Sequence, residues 1–192
     1  MVRSGLVLVI VGILAGVTAL ALRPSSDHHA PSPCGPVDQT PRAIGTPAAG
    51  AATICLLNQE RTSRGVPPLA QAGVLNQAAQ EHSDDMVQRG YFEHTTPDGR
   101  TVQDRLRALG FGLGGGASGG ENIEWGLRNA ATPAAMVRKW MASPPHRADI
   151  LRPAFRDIGI GIALGAPGHA DTEGATYTTD FGGVPDASLP TG

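Results

Sequence analysis

Trp140-Met141-Ala142-Ser143-Pro144-Pro145-His146-Arg147-Ala148-Asp149-Ile150-Leu151 joins the end of an amphipathic stretch to a tight, proline-bounded segment. The helix leading into it starts at Thr132-Pro133, with Thr as N-cap and Pro at the first helical position. Met136, Val137, Trp140 and Met141 share one face of that helix. Pro144-Pro145 ends it, because proline lacks the amide hydrogen and clashes with the preceding turn. His146 then either projects from the tight segment or caps a short helix.

Upstream, periodic apolar positions predict more helices. Ile54, Leu57 and Arg61 share a face from about Ala51, and Gly65 with Val66-Pro67-Pro68 stops the run. Leu75, Ala78, Ala79, His82 and Met86 recur at helical spacing over Ala72 to Arg89, closed by Gly90. Pro97-Asp98-Gly99 is a turn, and Thr101 is the N-cap candidate of a short helix reaching Leu109-Gly110. Seven glycines between Gly110 and Gly120 predict a surface loop, and Glu121 to Trp125 an extended segment. Downstream, Ile158-Gly159-Ile160-Gly161-Ile162 alternates with period two, so glycine lets another element approach that strand closely. Thr176 to Phe181 predicts a further strand. Helices first and strands last predict a single α+β layered domain.

The chain has 192 residues, enough for one domain plus tails. Aromatics are only 4% of it, so the core must be built mainly from aliphatic side chains. A net charge of -2 with no basic cluster offers nothing to nucleic acid. Arg3 followed by the uncharged stretch Gly5 to Leu22 predicts an export signal. Ala19-Leu20-Ala21 offers a cleavage site, and the alternative is an uncleaved N-terminal membrane anchor. The only membrane contact expected is through that segment, and the remainder is placed outside the cytoplasm. Residues 23–49 carry six prolines and predict a linker or loosely held arm. His28-His29 within it is given no role. In an exported chain Cys34 and Cys55 are expected to pair, a closure that typically contributes ~3 kcal/mol in the chain-entropy model. The other reading leaves two thiols, with Cys55 packed on its helix.

Three residues stand out chemically. Two imidazoles, His94 and His146, with the carboxylate of Glu121 form a set able to bind zinc or another divalent cation and leave a position for water. The 52 positions between the histidines compel nothing, and no H-E-x-x-H or C-x-x-C pair is present. Ordinary alternatives are a loop-ordering His94, a helix-capping His146 and an exposed Glu121. Ser143 lies three residues before His146, which suggests a nucleophile and base, but the prolines between them and the absence of a G-x-S-x-G elbow weigh against it. Glu121 and Ser143 are therefore only weak catalytic candidates. His82 belongs to the packing stripe of its helix.

Taken in order, the pieces form a pattern. Leu57-Asn58-x-x-Arg61 with Pro68-Leu69, Ala79-x-x-His82-x-x-x-Met86, Tyr91-Phe92-x-His94, Pro97-Asp98-Gly99 and Arg105 come first. Glu121-Asn122-Ile123, Trp140-Met141-x-Ser143-x-x-His146-Arg147 and Tyr177 to Gly182 follow. Together they resemble the bacterial extracellular branch of the CAP superfamily (cysteine-rich secretory, antigen 5 and pathogenesis-related, or SCP-like, proteins). The resemblance implies a three-layer α-β-α sandwich over residues 50–184, with a tail at 185–192. It implies a cavity lined by two histidines, carried over to His94 and His146, and by an acid, carried over to Glu121. The family's second acid, in Trp-x-x-Glu, meets Ser143 here. Pro145 stands where Gly is usual, Asp149 where Asn is usual and Asp180 where Gln is usual. The function it implies is a secreted binding module for cell-envelope components, small apolar ligands or proteins. The alternative is an extracellular hydrolase using His94 or His146 with Glu121.

Overall fold

Ile158 to Ile162 lie in β3 (Phe155–Leu164), and Thr176 to Phe181 in β4 (Gly174–Gly183). β4 is the central strand, antiparallel to β3 on one side and to β2 (Gly119–Leu127) on the other. A two-residue β1 (Ala70–Gln71) adds parallel to β3, so the order is β1-β3-β4-β2. Burial of β4 along nearly its whole length follows from helices covering both of its faces. In this computed structural model the described residues are 1, 32–111, 119–169 and 173–183. The export segment at residues 2–22, residues 23–31 of the Pro-rich stretch, residues 112–118 of the glycine-rich loop and the tail at 185–192 lie outside them. The chain divides into Met1–Ala30 and Pro31–Gly192, and every element named here belongs to the second unit.

One face of the sheet carries α3 (Gly73–Arg89) and α4 (Val102–Ala108). The glycines of β3 make that packing possible: a Cβ at Gly159 would lie 2.0 Å from the carbonyl carbon of Leu75, and one at Gly161 2.2 Å from that of Ala79. The other face carries α2 (Thr46–Thr62), α5 (Pro133–Ala142) and α6 (Pro144–Ile150), with α1 (Pro41–Ile44) ahead of α2. The result is a three-layer α-β-α sandwich. Its main core lies on the α2–α5 side, where Phe155 stacks on Phe181 and Trp140 meets Tyr177 edge-on, all four fully buried.

Local chemistry sets the element ends. Thr132 accepts from the Ala135 amide with Pro133 at the first turn of α5. Thr101 and Asp104 form a reciprocal capping box on α4. Gly90 ends α3 at φ 70, a left-handed conformation that glycine takes without strain. Two expectations change. α2 begins at Thr46 rather than near Ala51, after Gly45 and with Pro47 in its first turn, so helix occupies the end of the stretch expected to be a linker. Pro144-Pro145 ends α5 and also starts α6, since proline is tolerated where the helix amides have no partner anyway.

Cys34 and Cys55 are bonded, with Cα atoms 5.4 Å apart, and Cys34, Val37 and Ala52 pack together beside them. The segment before α2 is thereby tied to that helix. The Asn58 and Arg61 positions of the sequence pattern also acquire a cause. Asn58 bonds both backbone groups of Leu69. Arg61, fully buried, donates to the carbonyls of Pro67, Ile150, Arg152 and Phe155, joining α2 to the end of α6 and the start of β3.

Candidate functional site

Glu121 is the anchor. It sits near the start of β2, on the face turned toward α3 and α4, and its side chain is only 1% exposed. One oxygen accepts from Nδ1 of His94 at 2.8 Å and the other from the Arg105 guanidinium. His94 comes from the loop between α3 and α4, and Arg105 from α4. Arg105 also donates to the His94 backbone carbonyl at 3.0 Å, so it holds both ends of the His–Glu pair. Two donors on one carboxylate keep Glu121 ionised, which makes Nδ1 of His94 the protonated nitrogen. Burial alone would raise the Glu121 pKa, but the His94 bond and the charges of Arg105 and His82 outweigh it and hold Glu121 below its ordinary range. The same bond raises His94, against the lowering effect of burial. His94 remains 52% exposed, so its second nitrogen, Nε2, is the one available to a ligand.

His146 arrives from the opposite layer, in the first turn of α6. Asn122, one residue after Glu121 and therefore on the other face of β2, donates to the His146 backbone carbonyl at 3.1 Å. Nδ1 of His146 is buried without a hydrogen-bond partner among the described residues, as is Oδ1 of Asn122. Burial lowers the pKa of His146, and the nearby charge of His94 lowers it further. Asp149, one turn further along α6, is raised by burial and lies close enough to both imidazoles to feel their charge.

Behind this pair lies Asp180 on β4, directly opposite Glu121 in the strand register. It is fully buried, and neither of its oxygens has a partner among the described residues. Two carboxylates accept only, so they bond each other only when one carries a proton. Burial and the Glu121 charge push Asp180 well above the ordinary carboxylate range, so of the two carboxylates it is the one that holds a proton more readily. His82 on α3 is buried too. Its Nε2 donates to the Glu93 carbonyl at 3.0 Å and lies 3.8 Å from Glu121, and burial lowers its pKa. His82 is thus a packing residue that also borders the polar network.

The structure brings His94 and Glu121 into direct contact and sets His146 across the β2 edge from them. Ser143 is not brought in: it lies at the α5–α6 junction, and among the described residues no hydrogen bond joins it to either imidazole. No group of three or more His, Cys, Asp or Glu side chains among the described residues is placed to hold a metal ion. Two imidazoles are what the site offers a cation. Nε2 of His94 is left open and Nδ1 of His146 is buried without a partner among the described residues, so these are the two nitrogens that could hold one, while Glu121 acts from behind as the carboxylate that orients an imidazole. Sequence reasoning missed the parts played by Arg105 and Asp180. The only signals were their presence in the motif pattern and the unusual acid at position 180.

The model of the cysteine-rich secretory protein family (CAP) matches residues 55–179. The Bacillus subtilis (strain 168) protein YkwD is 36% identical over 106 residues, covering 55% of this chain and 39% of that protein. The crystal structure of an extracellular protein containing an SCP domain from Bacillus anthracis is 29% identical, with a TM-score of 0.56, covering 67% of this chain and 38% of that one. The chain thus spans about two fifths of the length of these two relatives. An outer surface protein from Borrelia burgdorferi shares the fold, with a TM-score of 0.57 at 17% identity, covering 68% of this chain and 88% of that one.

Proposed function

The chain belongs to the cysteine-rich secretory protein (CAP) family, and on that premise we propose that it is an extracytoplasmic binding module. Its ligand is taken by His94 and His146, on either side of β2 near its start. The partners it suits are cell-envelope components, lipids or proteins that present acceptor groups to the two imidazoles. The extracytoplasmic setting is supported by the Cys34–Cys55 disulfide, which persists in oxidising compartments, and by the extracellular relative from Bacillus anthracis. Among the described residues no helix is long and apolar enough to cross a membrane.

The observation that carries this reading is the immobilisation of Glu121. Both of its oxygens are engaged and the side chain is sealed from solvent, so it cannot reach a water or a substrate. What it does is orient His94 with Nε2 outward. A divalent cation such as zinc would be held by His94 and His146, its remaining positions open to water or ligand oxygens, and would supply a Lewis-acidic anchor. The hydrolase reading has one point in its favour, because Glu121 orients His94 as the acid of a catalytic triad orients its base. Against it, among the described residues no hydroxyl or thiol is hydrogen-bonded to that base.

Calorimetric titration with Zn²⁺ of the protein and of His94→Ala and His146→Ala tests the reading. The expected result is binding that weakens as pH falls through the imidazole range and is lost in both variants. Absence of binding in the folded protein would remove the cation from the site, and turnover of a casein or ester panel that is lost in Glu121→Gln would favour the hydrolase.

A further inference from the structure

The sheet has a second open edge, on the β3 side. β1 pairs with β3 only at Asp157 and Ile158, and among the described residues no strand continues that pairing along residues 160–164. An unpaired edge presents backbone amides and carbonyls at every second residue. Here side chains of α3 occupy them. Oδ1 of Asn76 accepts from the Ile160 amide at 3.0 Å, and Oε1 of Gln80 from the Ile162 amide at 3.0 Å. Nε2 of Gln80 also donates to the Ile162 carbonyl at 3.2 Å. Two primary amides one helical turn apart thus take up two amides and one carbonyl of the edge, in the places of a missing strand.

This edge is the floor of an open groove of about 420 Å³. Pro47 and Ala51 of α2 form one wall and Asn76 and Gln80 of α3 the other, over Ile160 and Ile162. The Ile side chains turn toward α2, because the intervening Gly159 and Gly161 face α3. None of the groove's lining residues is charged, and none belongs to the His94–Glu121–His146 site.

We propose that this groove is a strand-addition site that takes an extended, uncharged segment of a partner protein, with apolar side chains at alternate positions. The occupant is argued from complementarity. A groove without formal charge favours an uncharged guest, and backbone groups at period two are matched by another peptide backbone rather than by a lipid or a sugar. β1 already uses the same edge for pairing at Asp157 and Ile158, and the added strand continues along it. Asn76 and Gln80 act as placeholders: their amides bond the Ile160 and Ile162 amides and the Ile162 carbonyl when the groove is empty, and swing aside when a peptide backbone replaces those three bonds.

The test is a titration of the ¹⁵N-labelled protein with a panel of capped hexapeptides alternating Thr with Val, Ile or Leu. The proposal expects saturable shifts of the Ile160 and Ile162 backbone amides and of the Asn76 and Gln80 side-chain amides. Peptides N-methylated at alternate residues should give none. Ala51→Arg, at an exposed helix position, should weaken binding at least tenfold with the melting temperature unchanged. Three results would overturn the proposal: no shift with any peptide of the panel at millimolar concentration, an equal response to the N-methylated peptides, or shifts driven by protein concentration alone, which would make the occupant a second copy of this chain.

Discussion

Asp180→Asn is expected to stabilise the folded protein at neutral pH, and by more as the pH rises. The side chain is fully buried opposite Glu121, and its oxygens find no donor among the described residues. Burial and the Glu121 charge hold it protonated above the ordinary carboxylate range. The sign follows from proton counting. Between the unfolded pKa of about 3.9 and the raised folded value, the folded state binds one proton more, so stability falls as pH increases. One proton corresponds to ~1.4 kcal/mol per pH unit. The cost therefore grows with each pH unit over which folded Asp180 keeps a proton that the unfolded chain has lost. Asparagine offers an amide hydrogen to Glu121 at every pH and removes that slope. The remaining titrating groups are common to both proteins, and Arg105 and His94 engage Glu121 in each, so the pH dependence of the difference reports Asp180 together with its interaction with Glu121. Urea unfolding of both proteins at several values between about pH 4.5 and 7.5 gives the difference directly. A gap that stays constant across this range would refute the reasoning, since it would mean that Asp180 is ionised in the folded state.

Three further outcomes follow from single contacts. Arg61→Leu should cost about 3–5 kcal/mol in chemical denaturation, because it strips a buried charged donor from four backbone carbonyls. Cys34→Ser with Cys55→Ser opens a closure of 21 positions and should lower stability by ~3 kcal/mol, while reduction of the parent protein should give a similar loss. Glu121→Gln removes the main cause of the raised His94 pKa, so an NMR titration should find that imidazole titrating at lower pH. In the parent, the stability His94 contributes is complete below its unfolded pKa and is lost as pH rises through the folded one.

Much of the fold was legible because it is written in local chemistry. Thr132-Pro133, Thr101 with Asp104, and Gly90 each act within one helical turn, and the Ile/Gly alternation of β3 is a period-two signal. The start of α2 was not legible, since the Ala- and Gly-rich run from Thr46 to Ala52 has little hydrophobic contrast and its helicity depends on packing and the disulfide. Pro144-Pro145 is equally a helix stop and a helix start, and only the structure separates the two. At the site, His94 and Glu121 were recognisable as residue types in a pattern. Their clamp by Arg105, the burial of Asp180 beside them and the amide-capped edge of β3 come from partners up to 84 positions apart, which no local pattern reports.

The central claim is that Glu121 fixes His94 by Nδ1 and leaves Nε2, with His146, as the ligand-binding pair. Long-range ¹H–¹⁵N NMR of the imidazoles during Zn²⁺ addition tests it most directly. The account predicts a His94 that stays protonated at Nδ1 while its Nε2 shifts together with a His146 nitrogen, and a His82 that does not respond. Zinc that leaves both imidazoles unchanged, or that shifts His82 instead, would contradict it.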